Sequence, residues 1–325
     1  MTLGALESKP FHRLDAIDFL EQAVRLDPTF TLAYSASAEA HDLLYSWFNP
    51  SPEQRALGDA AVKSALSLQP DLPEVHMAYA YHLYLGYHDY ERARTQLAIA
   101  RRRLPNDSEA IGLEARMDRR QGQFEKAIQE FSDAIMRDPH NSVFIEDLAS
   151  TLYMTRQFRA AEQMFDRLIE LRPDQPILRV QKPLLVTFNK TGDDTAARSA
   201  IAALPASMAD DRSALTLRLN FALVDRDWPQ AKQLNQKVQK APENAQLLSQ
   251  LAVVDALLNN KEVAISEAKR AIELLPISKD ALDGPSIEIN LAVAYAWTNE
   301  PGLAFEKLSS LTKVPNWYFL RPIKA

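Results

Sequence analysis

One spacing recurs along the chain and constrains its fold more than any other feature. In Ala127, Phe131, Ala134 and Pro139 a small residue precedes a large apolar one by four positions; another small or apolar residue and then a proline complete the set. It returns as Ala161, Phe165, Leu168 and Pro173, as Ala93, Leu97, Ala100 and Pro105, and as Ala16, Leu20, Ala23 and Pro28. Pro105, Pro139 and Pro173 stand 34 residues apart, and so do Pro242 and Pro276. A fixed period of this size marks an array of short units, none of which can bury its own apolar face. Length alone would suggest two domains for 325 residues, but an array grows by adding units and needs no single closed core.

Each period predicts two helices. Ile145, Leu148, Ala149 and Leu152 fall at spacings of three and four and give a first helix one apolar stripe. Arg156-Gln157-Phe158 makes a turn, and Arg159 to Leu171 forms a second helix that ends before Pro173, because proline cannot continue a helix. Ala149 and Ala161 are small where the two helices must touch; Ala115 with Ala127 and Ala80 with Ala93 repeat the pair. Ser51-Pro52-Glu53 supplies a cap, a first-turn proline and an acid against the helix dipole. Asp193-Asp194 and Asp210-Asp211 read as further helix starts.

This order of residues resembles the tetratricopeptide repeat, W-x2-L-G-x2-Y…A-x3-F…P. The resemblance implies an all-α, right-handed superhelical solenoid of antiparallel helix pairs, with first helices lining an inner groove. Eight or nine units are expected: a truncated first repeat at 1–30, one with an insertion at 31–70, three clear repeats at 71–173, two degenerate ones at 174–242, two more at 243–315, and a tail at 316–325. Lys182-Pro183 stands where the degenerate part should carry leucine and a small residue. His41-Asp42-Leu-Leu-Tyr45, Leu85 to Ala93, and Ala271 to Pro285 with its Leu-Pro-Ile-Ser-Lys-Asp-Ala core are similar to the C-terminal repeat region of bacterial multidomain regulators. In those, a serine/threonine kinase, winged-helix domain or nucleotide cyclase precedes the repeats. That likeness implies a non-catalytic protein- or peptide-binding scaffold, the interaction or sensory arm of a regulator. The alternatives are the C-terminal part of a larger enzyme and an oligomerisation module.

Chemistry is sparse in the sequence. The eight glycines are never closer than ten positions, so no G-x-G-x-x-G, P-loop or G-x-S-x-G is present. The absence of cysteine excludes disulfides, thiolate zinc sites and a cysteine nucleophile. None of the six histidines pairs at i,i+4 or begins H-E-x-x-H. They read as partly buried or surface residues, and no metal or cofactor is expected. A formal charge of −6 gives no reason to expect nucleic acid as a partner. The start at Met1 lacks the basic and apolar regions of a signal peptide, and no apolar run spans a membrane, so a cytoplasmic chain is expected.

The repeat template aims Met77, Tyr81 and Tyr84 at the groove, with Tyr79 and Leu83 packing inward; one repeat on it aims Arg116, Arg119 and Arg120 there. Tyr153 completes the surface. Aromatic area beside three cations predicts a protein or peptide partner with acidic and apolar residues. The competing picture bonds these arginines to Asp118, Glu146 or Asp147 inside the array. The carboxylate clamp of some family members needs lysine and asparagine on one groove-facing helix. The equivalent positions hold Ser35 and Glu39, Met77 and Tyr81, Gly112 and Arg116, and Glu146 and Ser150, so no clamp forms. At the ends, Leu3 and Leu6 form a short lid, and Trp317 to Leu320 are expected to fold back near Tyr295 and Leu308 or to mediate self-association.

Overall fold

A computed structural model describes residues 10–47, 51–238 and 245–313, and every regular element among them is helical. The chain divides into two compact units. Unit 1 comprises Met1–Asp118 with Glu125–Phe144, and unit 2 comprises Arg119–Phe124 with Ile145–Ala325. The expectations for Leu3, Leu6 and Trp317 to Leu320 lie outside the described residues.

In unit 1, α1 (Pro10–Leu26) is followed by α2 (Thr31–Trp47), α3 (Pro52–Leu68) and α4 (Pro73–His82). The last of these continues into a π-helical turn, Leu83–Tyr87, before α5 (Tyr90–Arg101), α6 (Ser108–Arg120) and α7 (Phe124–Arg137). Helix α2 packs on α3, α4 packs on α5, and the successive first helices α2 and α4 pack on each other. The final two residues of α6 and the first residue of α7 group with unit 2.

Unit 2 takes in α8 (Ser142–Met154) from Ile145 onward, α9 (Phe158–Leu171), α10 (Leu178–Lys182), a π-helical stretch Pro183–Phe188, α11 (Asn189–Thr191) and α12 (Thr195–Ala202). Three pairs follow: α13 (Arg212–Val224) with α14 (Trp228–Val238), α15 (Ala245–Leu257) with α16 (Lys261–Leu274), and α17 (Gly284–Trp297) with α18 (Pro301–Leu311). Helices α15 and α17 also pack side by side.

The small residues sit where the period placed them. Ala80, Ala93, Ala115, Ala127, Ala149 and Ala161 are fully buried, as are Phe131, Phe165, Leu97 and Leu168 around them. Gly112 goes further: a Cβ there would collide with the Phe144 ring. Ala127→Phe and Ala161→Phe are therefore expected to overpack their contacts and each to cost about 1–3 kcal/mol. Thermal melting of the two variants measures this, and unchanged midpoints would show the register to be wrong.

Local chemistry sets the boundaries. Ser51 accepts a hydrogen bond from the Gln54 N–H and Pro52 begins α3, while Asp89 and Asp211 cap α5 and α13 in the same way. The turn between the two helices of a pair carries one left-handed residue. It falls at His88, Gly122, Arg156, Gly192, Arg226, Asn259 and Asn299, repeating the period in backbone angles. Only two of these are glycines, so most of the turns carry no glycine signal in the sequence.

One proline departs from the expectation that proline ends a helix. Pro183 does not end its helix: the segment runs on through it as a π-helical stretch. Proline has no N–H to give and crowds the carbonyl four residues back, and the wider π turn accommodates both defects.

Candidate functional site

Unit 1 presents a row of partly exposed polar side chains, one from each successive first helix: Glu39 on α2, Tyr81 on α4 and Arg116 on α6. The Tyr81 hydroxyl donates to Glu109 Oε2 at 3.2 Å and accepts from Arg116 Nη1 at 2.8 Å. Asn141 Nδ2 donates to the other Glu109 oxygen at 3.1 Å, and the Arg116 guanidinium lies 5.9 Å from the centre of the Phe144 ring. Burial pushes the Tyr81 phenol well above its usual pKa, against the pull of Arg116. Burial, with Glu109 and Asp42 adding like charge, pushes the Glu39 carboxyl up to about 8.

Met77 and Tyr84, expected to line the groove, are core residues. Both are buried in one cluster with Leu83 and Leu97, covered by Ala110, Leu113 and Met117 of the next first helix. Leu83 is buried as expected, and Tyr79 is partly buried against the same cluster.

Behind the row lies a network that helical spacing did not disclose. His82 bonds Asp42 Oδ1 through Nδ1 at 2.7 Å and Asp59 Oδ1 through Nε2 at 2.9 Å, and the Tyr87 hydroxyl donates to Asp59 at 2.8 Å. Both ring nitrogens facing carboxylates require the imidazolium. Burial opposes that charge, but the two carboxylates outweigh it and raise the His82 pKa. Burial raises the Asp42 pKa in spite of His82. Gly58 makes the room, since a Cβ there would stand 3.0 Å from both Asp42 and His82. The partners come from three helices, so no spacing along one helix marks them.

In unit 2, Arg119 and Arg120 are buried. Arg119 Nη2 donates to Asp147 Oδ1 at 2.6 Å, and its Nη1 reaches the Asp147 carbonyl and Thr151 Oγ1. This is the internal pairing that the sequence offered as the competing picture. Arg120 Nη1 bonds Asp280 and also Asp283 Oδ2, the latter at 3.0 Å, while the Arg120 carbonyl accepts from the Ala281 N–H at 2.7 Å. Asp280 folds its own loop by accepting from the N–H groups of Leu282 and Asp283. The two arginines are thus satisfied by the chain's own carboxylates rather than presented as open cations. Tyr153 is partly exposed and lies 6.5 Å, centre to centre, from Phe158.

Residues 119–181 match the family model described as tetratricopeptide repeat. The chain carries a tetratricopeptide repeat fold. Among solved structures, the repeat array is similar to the human IFIT1 dimer with PPP-AAAA (15% identity, TM-score 0.58, covering 93% of this chain and 68% of that one). It is also similar to a tetratricopeptide repeat protein from Parabacteroides merdae (14%, 0.54, 80% and 98%) and to yeast Tom70 (12%, 0.50, 95% and 86%). At these identities the likeness is one of fold. No curated protein matches by sequence. Among the described residues no helix is long and apolar enough to cross a membrane, and no group of three or more histidine, aspartate or glutamate side chains is placed to hold a metal ion.

Proposed function

We propose that this repeat array is a non-catalytic peptide-binding scaffold, the interaction or sensory arm of a bacterial regulatory protein, and that it binds along the first helices of unit 1. The observation carrying this reading is the row Glu39, Tyr81 and Arg116. These side chains stay partly exposed on helices whose neighbouring positions are buried. The arginine and glutamate pin the tyrosine hydroxyl, so its ring meets a partner with little further loss of freedom. Resemblance to the repeat regions of bacterial regulators supports the regulatory role. An acidic partner was the sequence expectation, but two of its three cations, Arg119 and Arg120, are spent inside unit 2. Arg116 remains in the row, beside Glu39 and Glu109.

Peptides selected from a displayed library against the full chain test the reading. Tyr81→Ala is expected to weaken their binding about tenfold, the loss of one anchor of roughly 1.4 kcal/mol, and to lower the melting midpoint because the ring also packs on the unit 1 core. Fluorescence anisotropy measures the affinity. Equal affinity in Tyr81→Ala and Arg116→Ala, or no selectable peptide, would overturn the assignment.

A further inference from the structure

Helix α2 presents three faces with different chemistry. Ala40 and Leu44 meet Ile17 of α1, and Ala38 meets Ala61 and Val62 of α3. The third stripe is polar: Ser35, Glu39 and Asp42, at i, i+4 and i+7, where helical geometry stacks side chains on one face. Asp42 fixes its direction, since its Oδ1 meets His82 of α4.

Two polar atoms on this stripe are buried without a hydrogen-bond partner, Ser35 Oγ and Asp42 Oδ2. Ser35 is 5% exposed and Asp42 0%. Other helical serines of this chain show the alternative. Ser64, Ser132 and Ser199, also within helices, donate back to the carbonyl four residues earlier, at 3.0, 2.7 and 2.9 Å. Glu39 stands between Ser35 and Asp42 along the helix, is partly exposed, and feels the like charges of Glu109 and Asp42. Native proteins seldom leave buried polar atoms unsatisfied, and a site for a ligand is one reason they do.

We propose that Ser35, Glu39 and Asp42 bind a cationic side chain, the ammonium or guanidinium of a lysine or arginine carried by a peptide partner. Such a group offers only donors, and the stripe offers a carboxylate, a carboxylate oxygen and a hydroxyl oxygen as acceptors. The inference deepens the reading of unit 1 as the recognition face and rests on it. It names the chemistry Glu39 adds next to the Tyr81 anchor.

The site also has a protonic signature. Its titratable and charged surroundings are His41 on α2, Asp59 on α3, Tyr81 and His82 on α4, and Glu109 and Arg116 on α6; α1 meets α2 through apolar Ile17 and Leu20. Without a ligand, Glu39 holds its proton up to about pH 8. An arriving cation favours the carboxylate, so binding at pH 7 releases a proton.

The test uses the full chain and three blocked pentapeptides, Ala-Ala-Lys-Ala-Ala, its arginine counterpart and its acetyl-lysine counterpart. The lysine and arginine peptides are expected to give saturable shifts at the amides of residues 35–42. The acetyl-lysine peptide should give none, and Glu39→Gln should weaken binding tenfold or more. Ser35→Ala, which removes an unpartnered hydroxyl, should keep the fold and weaken binding to a smaller extent. Calorimetry in two buffers of different ionisation heat should show proton release in the wild type and none in Glu39→Gln. If acetyl-lysine and lysine peptides bind alike, or Glu39→Gln binds as wild type, the cation site is wrong. It falls alone if library-selected peptides still depend on Tyr81, and together with the recognition-face reading if they do not.

Discussion

Replacing Arg120 by alanine is expected to destabilise unit 2 by about 3–5 kcal/mol. Asp280 is fully buried, and Arg120 is its charged partner. Removing the guanidinium leaves the buried carboxylate with the two backbone N–H groups of its own loop. Asp283 loses the same partner, and burial already pushes its carboxyl above the usual range. Hydrogen exchange gives a local reading: protection should fall at residues 119–124 and 276–285 before it falls elsewhere in unit 2. Converting Asp280 to asparagine in the same chain keeps an acceptor for the loop and removes the charge. The double variant Arg120→Met with Asp280→Asn should therefore lose less than the sum of the two single losses. A midpoint for Arg120→Ala within a degree of wild type would show that the pair contributes little.

The loss of His82 is expected to cost a similar amount, about 3–5 kcal/mol, because Asp42 would remain buried without its charge partner. The same network fixes a pH dependence. A histidine whose folded pKa is raised contributes stability that is complete below its unfolded value of 6.5 and is lost as pH rises through the folded value. Asp42 and Glu39, with raised folded values, add penalties of the same sign: each binds its proton more tightly in the folded chain, so stability falls as pH rises from the ordinary carboxyl range toward the folded value, about 8 for Glu39. Unit 1 is thus expected to be more stable near pH 6 than near pH 9, opposite to ordinary acid denaturation. The His82 ring, followed by NMR, should titrate above 6.5, and Asp42→Asn should lower that value. A ring titrating at or below 6.5 in the wild type would remove the basis for both statements.

The helix pairs were legible because packing along this chain is periodic. Ala127, Ala161 and their equivalents must be small wherever two helices touch, and that requirement writes itself into the sequence every 34 residues. The turns were less legible: a left-handed residue at Arg156 or Arg226 carries no mark, because the flanking helices, not a glycine, impose the angle. The template for the first helices aimed Met77 and Tyr84 at open space, whereas Ala110, Leu113 and Met117 of the neighbouring helix cover them. How far one helix overlaps the next depends on side-chain volumes at both, and no single-helix pattern contains that. Arg119 and Arg120 illustrate the same limit over a longer range. Their spacing showed two cations on one helix end, but the carboxylate that takes Arg120 lies 160 residues away. Asp280 and Asp283, which bond that arginine, fall within the Ala271 to Pro285 stretch that the sequence marked only as a likeness.

We propose the first helices of unit 1, through Glu39, Tyr81 and Arg116, as the recognition face. Methyl and amide chemical-shift mapping of a library-selected peptide on the full chain tests it most directly. Saturable shifts are expected at residues 35–43 of α2, at 77–84 of α4 and its π turn, and at 109–116 of α6, and are expected to be lost in Tyr81→Ala. Shifts confined to the second helices α3, α5 and α7, or to unit 2, would contradict it.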